Sequence, residues 1–67
     1  MDGFAVEADR RLVGVAVRVR GGFQFFTSDS DFRSMDSKVF RRARALESGV
    51  AELARVHRVQ RENGERT

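Results

Sequence analysis

A chain of 67 residues with 40% apolar and 34% charged side chains has the balance of a globular protein and room for one thin core, which excludes a disordered tail and makes an enzyme a poor expectation. It has no cysteine and a single histidine, His57, so a disulfide framework, a thiolate zinc site and an imidazole cluster are out of reach, and no metal or cofactor is expected. The net charge of +3 is unevenly spread: residues 1–37 sum to −1 and residues 38–67 to +4, and 12 of the 13 cations are arginine, the side chain whose planar fork suits phosphate and carboxylate.

At the N-terminus Phe4, Val6 and Ala8 alternate with Ala5 and Glu7, which predicts a first strand turning at Asp9-Arg10-Arg11. From Leu12 to Val19 valine occupies every second position (Val13, Val15, Val17, Val19), the period of a strand with one buried face. This is also the longest mainly apolar stretch, and it is far too short to span a bilayer. With an acidic Met1-Asp2-Gly3-Phe4 where a signal peptide would be basic, a cytoplasmic protein is expected. Gly21-Gly22 then predicts a two-residue hairpin into Phe23–Thr27, because glycine accepts positive φ without a steric penalty.

Ser28 to Lys38 is rich in serine and aspartate, so a turn or short 3₁₀ piece is expected, with Phe32 and Met35 pinning it to the core. Asp29-Ser30-Asp31 begins like a calcium loop, but Arg33 and Ser34 stand where a ligand and a glycine are required, and the acids are better read as caps. Lys38-Val39-Phe40 fits a short edge strand. Beyond the Ser28–Lys38 connector Val39, Ala43, Leu46, Val50, Leu53, Ala54 and His57 recur at helical spacing, which predicts a helix over Arg41–Gln60, with Gly49 marking close approach to the sheet. The polar tail 62–67 is expected to fray from a single domain, residues 1–61.

The fold expected is therefore α+β: a small antiparallel sheet, a two- to three-stranded meander with a possible short extra edge strand, on one C-terminal amphipathic helix. The core is assigned to Val13, Val15, Val17, Val19, Phe23, Phe25, Leu46, Val50 and Leu53. His57 falls on the same helical stripe and reads as a core-edge residue.

Function then has to reside on surfaces. Arg41, Arg44, Arg55 and Arg58 project within about 100° of the helix, counted at 100° per residue, and with Arg42 they are candidate phosphate contacts of a basic module for nucleic acid or a nucleoprotein. The competing bland reading is a solvated face, since Arg44/Glu47, Glu52/Arg55 and Arg58/Glu62 are spaced to pair. A second functional reading places a protein-interaction or inhibitor surface, of the sort small phage and plasmid accessory proteins use against host complexes, on the other sheet face: Ala16, Arg18, Arg20, Gln24 and Phe26, or an edge strand. As a stacking platform for RNA that face offers only Phe26, with Phe4 as a candidate second ring. Because a core this small gains from a second copy, homodimerisation through the open face is a further expectation.

Overall fold

The computed structural model describes residues 3–65, with side chains described through Glu62. Strands β1 (Gly3–Ala8), β2 (Arg11–Val19), β3 (Gly22–Phe26) and β4 (Val39–Phe40) form one antiparallel sheet in the order β1-β2-β3-β4. A 3₁₀ helix (Ser30–Met35) joins β3 to β4, and helix α1 (Ala43–Glu65) covers one face. The expected α+β layout is thus met, and the edge strand at Val39–Phe40 is real, pairing Phe23 with Phe40 and Gln24 with Val39.

Both hairpins turn on two residues. Asp9 and Arg10 have φ of 51° and 64°, the sign at both central positions that a type I′ hairpin needs to match strand twist. The second turn lies at Arg20-Gly21, one residue earlier than expected, since Val19 already pairs with Gly22. Gly22 has φ of 150°, and a Cβ there would collide with the Phe40 carbonyl and the Arg41 backbone. Only glycine lets β3 start this close to the end of β4.

The pairing of β1 with β2 decides which face is the core. Ala8 pairs with Arg11 and Glu7 with Leu12, but Val6 pairs with Gly14, so Val13 is an extra residue in β2, a β-bulge. A bulge inserts one residue and so reverses the alternation on either side of it. Val13 and Ala16, three apart, are both buried, at 3% and 0% exposure. The Val13 carbonyl accepts from Thr27 Oγ1 at 2.5 Å, so the bulge does not leave a buried acceptor unpaired.

The assignment of Val15, Val17 and Val19 to the core is therefore corrected. Past the bulge the even positions of β2 face the helix: Ala16 stands between Phe4 and Phe25, and Arg18 beside Phe23. Val15 is 42% exposed on the other face, while Val17 and Val19 are half-buried. The core proper is Val6, Val13, Ala16, Phe25, Phe32, Met35, Leu46, Val50 and Ala54, with Phe4, Ala8, Phe23, Phe40 and Leu53 at its margin. The four large side chains sealed completely, Phe25, Phe32, Leu46 and Val50, each supply about 1.5–3 kcal/mol of burial.

The connector behaves as its composition predicts. Asp29 caps the 3₁₀ helix by accepting from the Asp31 N–H at 3.0 Å, and Phe32 and Met35 anchor it in the core. The chain then reverses at Ser37, with φ of 70°, and Phe25 exchanges backbone hydrogen bonds with Ser37 and Lys38 to lead into β4. Helix α1 starts two residues later than expected because Arg41-Arg42 form the bend out of β4. It also continues past Gln60 to Glu65, and Arg61 ties this last part to Asp31 at 3.2 Å. Of the 62–67 tail, the final two residues lie outside those described. Gly49 does mark a close approach: a Cβ there would lie 3.2 Å from the Met35 methyl and 3.7 Å from the Phe40 ring.

Candidate functional site

Strand directions place the charges at two ends of the sheet. β2 and β4 both run toward the Arg20-Gly21 turn, and α1 starts there, immediately after β4. Arg18, level with Phe23 and Phe40, Arg20 in the turn, Arg41 and Arg42 in the bend and Arg44 in the first helical turn therefore gather at one end, all exposed. Among the described residues none of these five has a carboxylate within ion-pairing distance. The first turn of α1 contains no acid, although the positive end of a helix dipole favours one.

Toward the opposite end three cations, Arg11, Arg58 and Arg61, are committed. Arg11 reaches Asp29 at 2.5 Å and Asp31 at 3.3 Å, and its guanidinium lies 5.9 Å from the centre of the Phe32 ring. Arg58 donates to Asp9 at 3.4 Å and Arg61 to Asp31 at 3.2 Å. These pairs cross between helix, connector and β1–β2 turn, so they fasten α1 to the sheet.

The expected arginine stripe on the helix is thus divided. Arg55 sits about 16 Å along the axis from Arg44 at 1.5 Å per residue and pairs with Glu52 at 2.6 Å. That hydrogen bond, and then the neighbouring charge, holds the Glu52 carboxyl below its ordinary value of 4.5 and raises Arg55 above its own. Arg55 and Arg58 do not join Arg41, Arg42 and Arg44; Arg18 and Arg20, assigned by sequence to the other surface, do.

The second candidate surface also changes membership. Ala16 is fully buried on the helix side of the sheet and not on the open face, for the register reason given above. Gln24 and Phe26 do lie on the open face, Phe26 at 38% exposure, while Gln24 Nε2 donates to the Ser37 carbonyl at 2.9 Å. Their neighbours there are Leu12, Val15 and Val39, at 62%, 42% and 53% exposure. Phe4 is on the helix side, edge-on to Phe23 with ring centres 5.9 Å apart, so Phe26 is the one aromatic ring of the open face among the described residues. Shallow depressions along this face are lined by Leu12, Val15, Phe26, Asp29 and Asp36, and by Ala5, Val15 and Val17.

His57 is half-buried with its ring 6.4 Å from that of Phe32, a place at the core margin. The described residues contain no group of three His, Asp or Glu that could grip a metal, and no helix among them is long and apolar enough to cross a membrane.

Searches against protein-family models, curated proteins and solved structures returned no match to this chain. The functional reading rests on the geometry alone.

Proposed function

We propose that this chain is a non-enzymatic binding module that contacts the phosphates of a nucleic acid, free or within a nucleoprotein, through Arg18, Arg20, Arg41, Arg42 and Arg44. The observation that carries this reading is the gathering of these five arginines, from segments far apart in sequence, with no carboxylate partner among the described residues. Five like charges at one end repel one another, and the helix dipole adds to that repulsion, so the arrangement costs stability until an anion is present. Phosphate oxygens accept two parallel hydrogen bonds from a guanidinium, which makes arginine the matching donor.

Binding by charge neutralisation has a measurable signature. Each phosphate neutralised on B-DNA adds about −0.9 to the slope of log affinity against log salt, so five contacts give a slope of about −4 to −5. Fluorescence anisotropy with a labelled duplex and a labelled single strand, read across a salt series, tests this directly. Arg41→Glu with Arg44→Glu is expected to lower affinity more than tenfold and to flatten the slope by about 2. Arg55→Glu, on the paired stretch of the helix, is expected to change affinity far less. Equal losses from the two sets, or binding indifferent to salt, would sink this reading.

A further inference from the structure

Helix α1 crosses the sheet from corner to corner. It begins directly after β4 at the arginine end, and its later turns reach the β1–β2 turn, where Arg58 donates to Asp9 at 3.4 Å. The corner that β1 makes with the arginine end lies off that diagonal. Phe4 stands there on the outer strand of the sheet, its ring edge-on to that of Phe23, with centres 5.9 Å apart and planes at 63°. Both rings are half-buried at the margin of the core, so part of each is open to solvent. Arg18 is level with Phe23, shares the face of both rings and is itself exposed. The helix flank that overlooks this corner contains Glu47, within about 20° of Arg58 at 100° per residue. Glu47 is exposed and makes no ion pair among the described residues. Its charge repels a phosphate placed over the rings and leaves an uncharged base free to enter.

We infer that the nucleic acid of the phosphate reading, on which this inference rests, is single-stranded and stacks a base on the Phe4–Phe23 pair. A duplex holds its bases inside the stack, so its phosphates reach the arginines while its bases never reach the rings. A single strand presents both, with bases free to splay onto aromatic side chains. Arg20, Arg41 and Arg42 hold the backbone at the end of the sheet, and Arg18 lies between that backbone and the rings. Every base has a face that stacks, so little sequence preference is expected. Phe26 has no part in this, since it lies on the other face, paired with Val15.

The test compares three labelled probes of equal length by fluorescence anisotropy across a salt series: an oligothymidylate, the same backbone with abasic residues, and a duplex. The abasic strand keeps the phosphates and removes the bases, so it isolates stacking without any change to the protein. The full chain is expected to bind oligothymidylate at least about fivefold more tightly than the abasic strand, the least that one stacked base contributes, and more tightly than the duplex. Phe4→Leu keeps an apolar side chain in the corner; it is expected to bring oligothymidylate down to the abasic level while the abasic affinity and its salt slope stay unchanged. Phe26→Leu is expected to change neither strand. Equal affinity for the two strands, both weakening steeply with salt, overturns the stacked base and leaves the phosphate reading standing, as does tighter binding of the duplex. Absence of salt-dependent binding to any probe overturns both. A base preference that survives Phe4→Leu, or a loss that Phe4→Leu inflicts equally on both strands, overturns the site at this corner.

Discussion

Ala16 and Phe25 are sealed from solvent on one face of the sheet, while Val15 and Phe26, the residues next to them in the chain, keep 42% and 38% of their surface on the other. The two faces differ little in hydrophobicity, and the exposed one contains the larger aliphatic residues of β2. What separates them is phase. The helix-side face is the one on which Phe4 and Val6 of β1 and Phe23 and Phe25 of β3 coincide, and between them β2 contributes Gly14 and Ala16, small residues beside rings that already fill the space. A row of valines marks a strand, but the face that becomes the core is chosen by the neighbours that share it.

Two substitutions at adjacent positions probe this contrast most sharply. Ala16→Leu pushes three more carbons into a fully buried slot between Phe4 and Phe25 and is expected to lower stability by about 3 kcal/mol, the upper end for overpacking. Val15→Thr, on the open face, is expected to stay within about 0.5 kcal/mol in dilute solution. Urea unfolding midpoints measure both, and the opposite ranking would return the core to the valine face. Gly14→Ala is the next largest effect. Its Cβ would lie 2.5 Å from the Phe26 carbonyl oxygen and 2.6 Å from the Phe25 ring, and a backbone atom cannot step aside, so a loss of about 2 kcal/mol is expected by the same measurement. If Gly14→Ala is tolerated, the bulge does not press β2 against Phe25 as described.

Much of this is legible in the residues, and the rest is not, for a physical reason. The hairpin glycines, the Asp29 cap, the Phe32 and Met35 anchors and the helical run from Ala43 to Ala54 are local signals, and each led to the right element. Face assignment is not local. A two-residue hairpin pairs odd positions with even ones, so Phe23 and Phe25 share a face with Ala16 and Arg18, never with Val15 and Val17; that arithmetic was available from Gly21-Gly22 alone. Gly14, isolated inside a strand pattern, was the available mark of the bulge. The arginine end was half visible. Arg41, Arg42 and Arg44 stand out in sequence, but Arg18 and Arg20 join them only because the β2–β3 turn abuts the end of β4. Arg58 drops out because of Asp9, 49 residues away, a partner no helical wheel displays.

A smaller effect than those of Ala16→Leu and Gly14→Ala tests the origin of the phase itself. The β1–β2 turn sets the pairing of Ala8 with Arg11, and the bulge at Val13 then brings Val6 and Phe4 onto the face of Ala16. In that turn Arg10 has φ of 64°, a left-handed conformation that costs a non-glycine residue about 1–2 kcal/mol. Glycine relieves it but loses about 0.5–1 kcal/mol more conformational freedom on folding. Arg10→Gly, giving the Asp-Gly pair that type I′ turns favour, is therefore expected to stabilise the chain by about 0.5–1 kcal/mol, the remainder of those two figures. Thermal unfolding with low protein concentration reads this as a rise of a few degrees. A fall in stability would mean that Arg10 is not left-handed; the turn would then be of another length, the register of β1 would shift by one, and Phe4 and Val6 would leave the helix side, taking the distinction between the two faces with them.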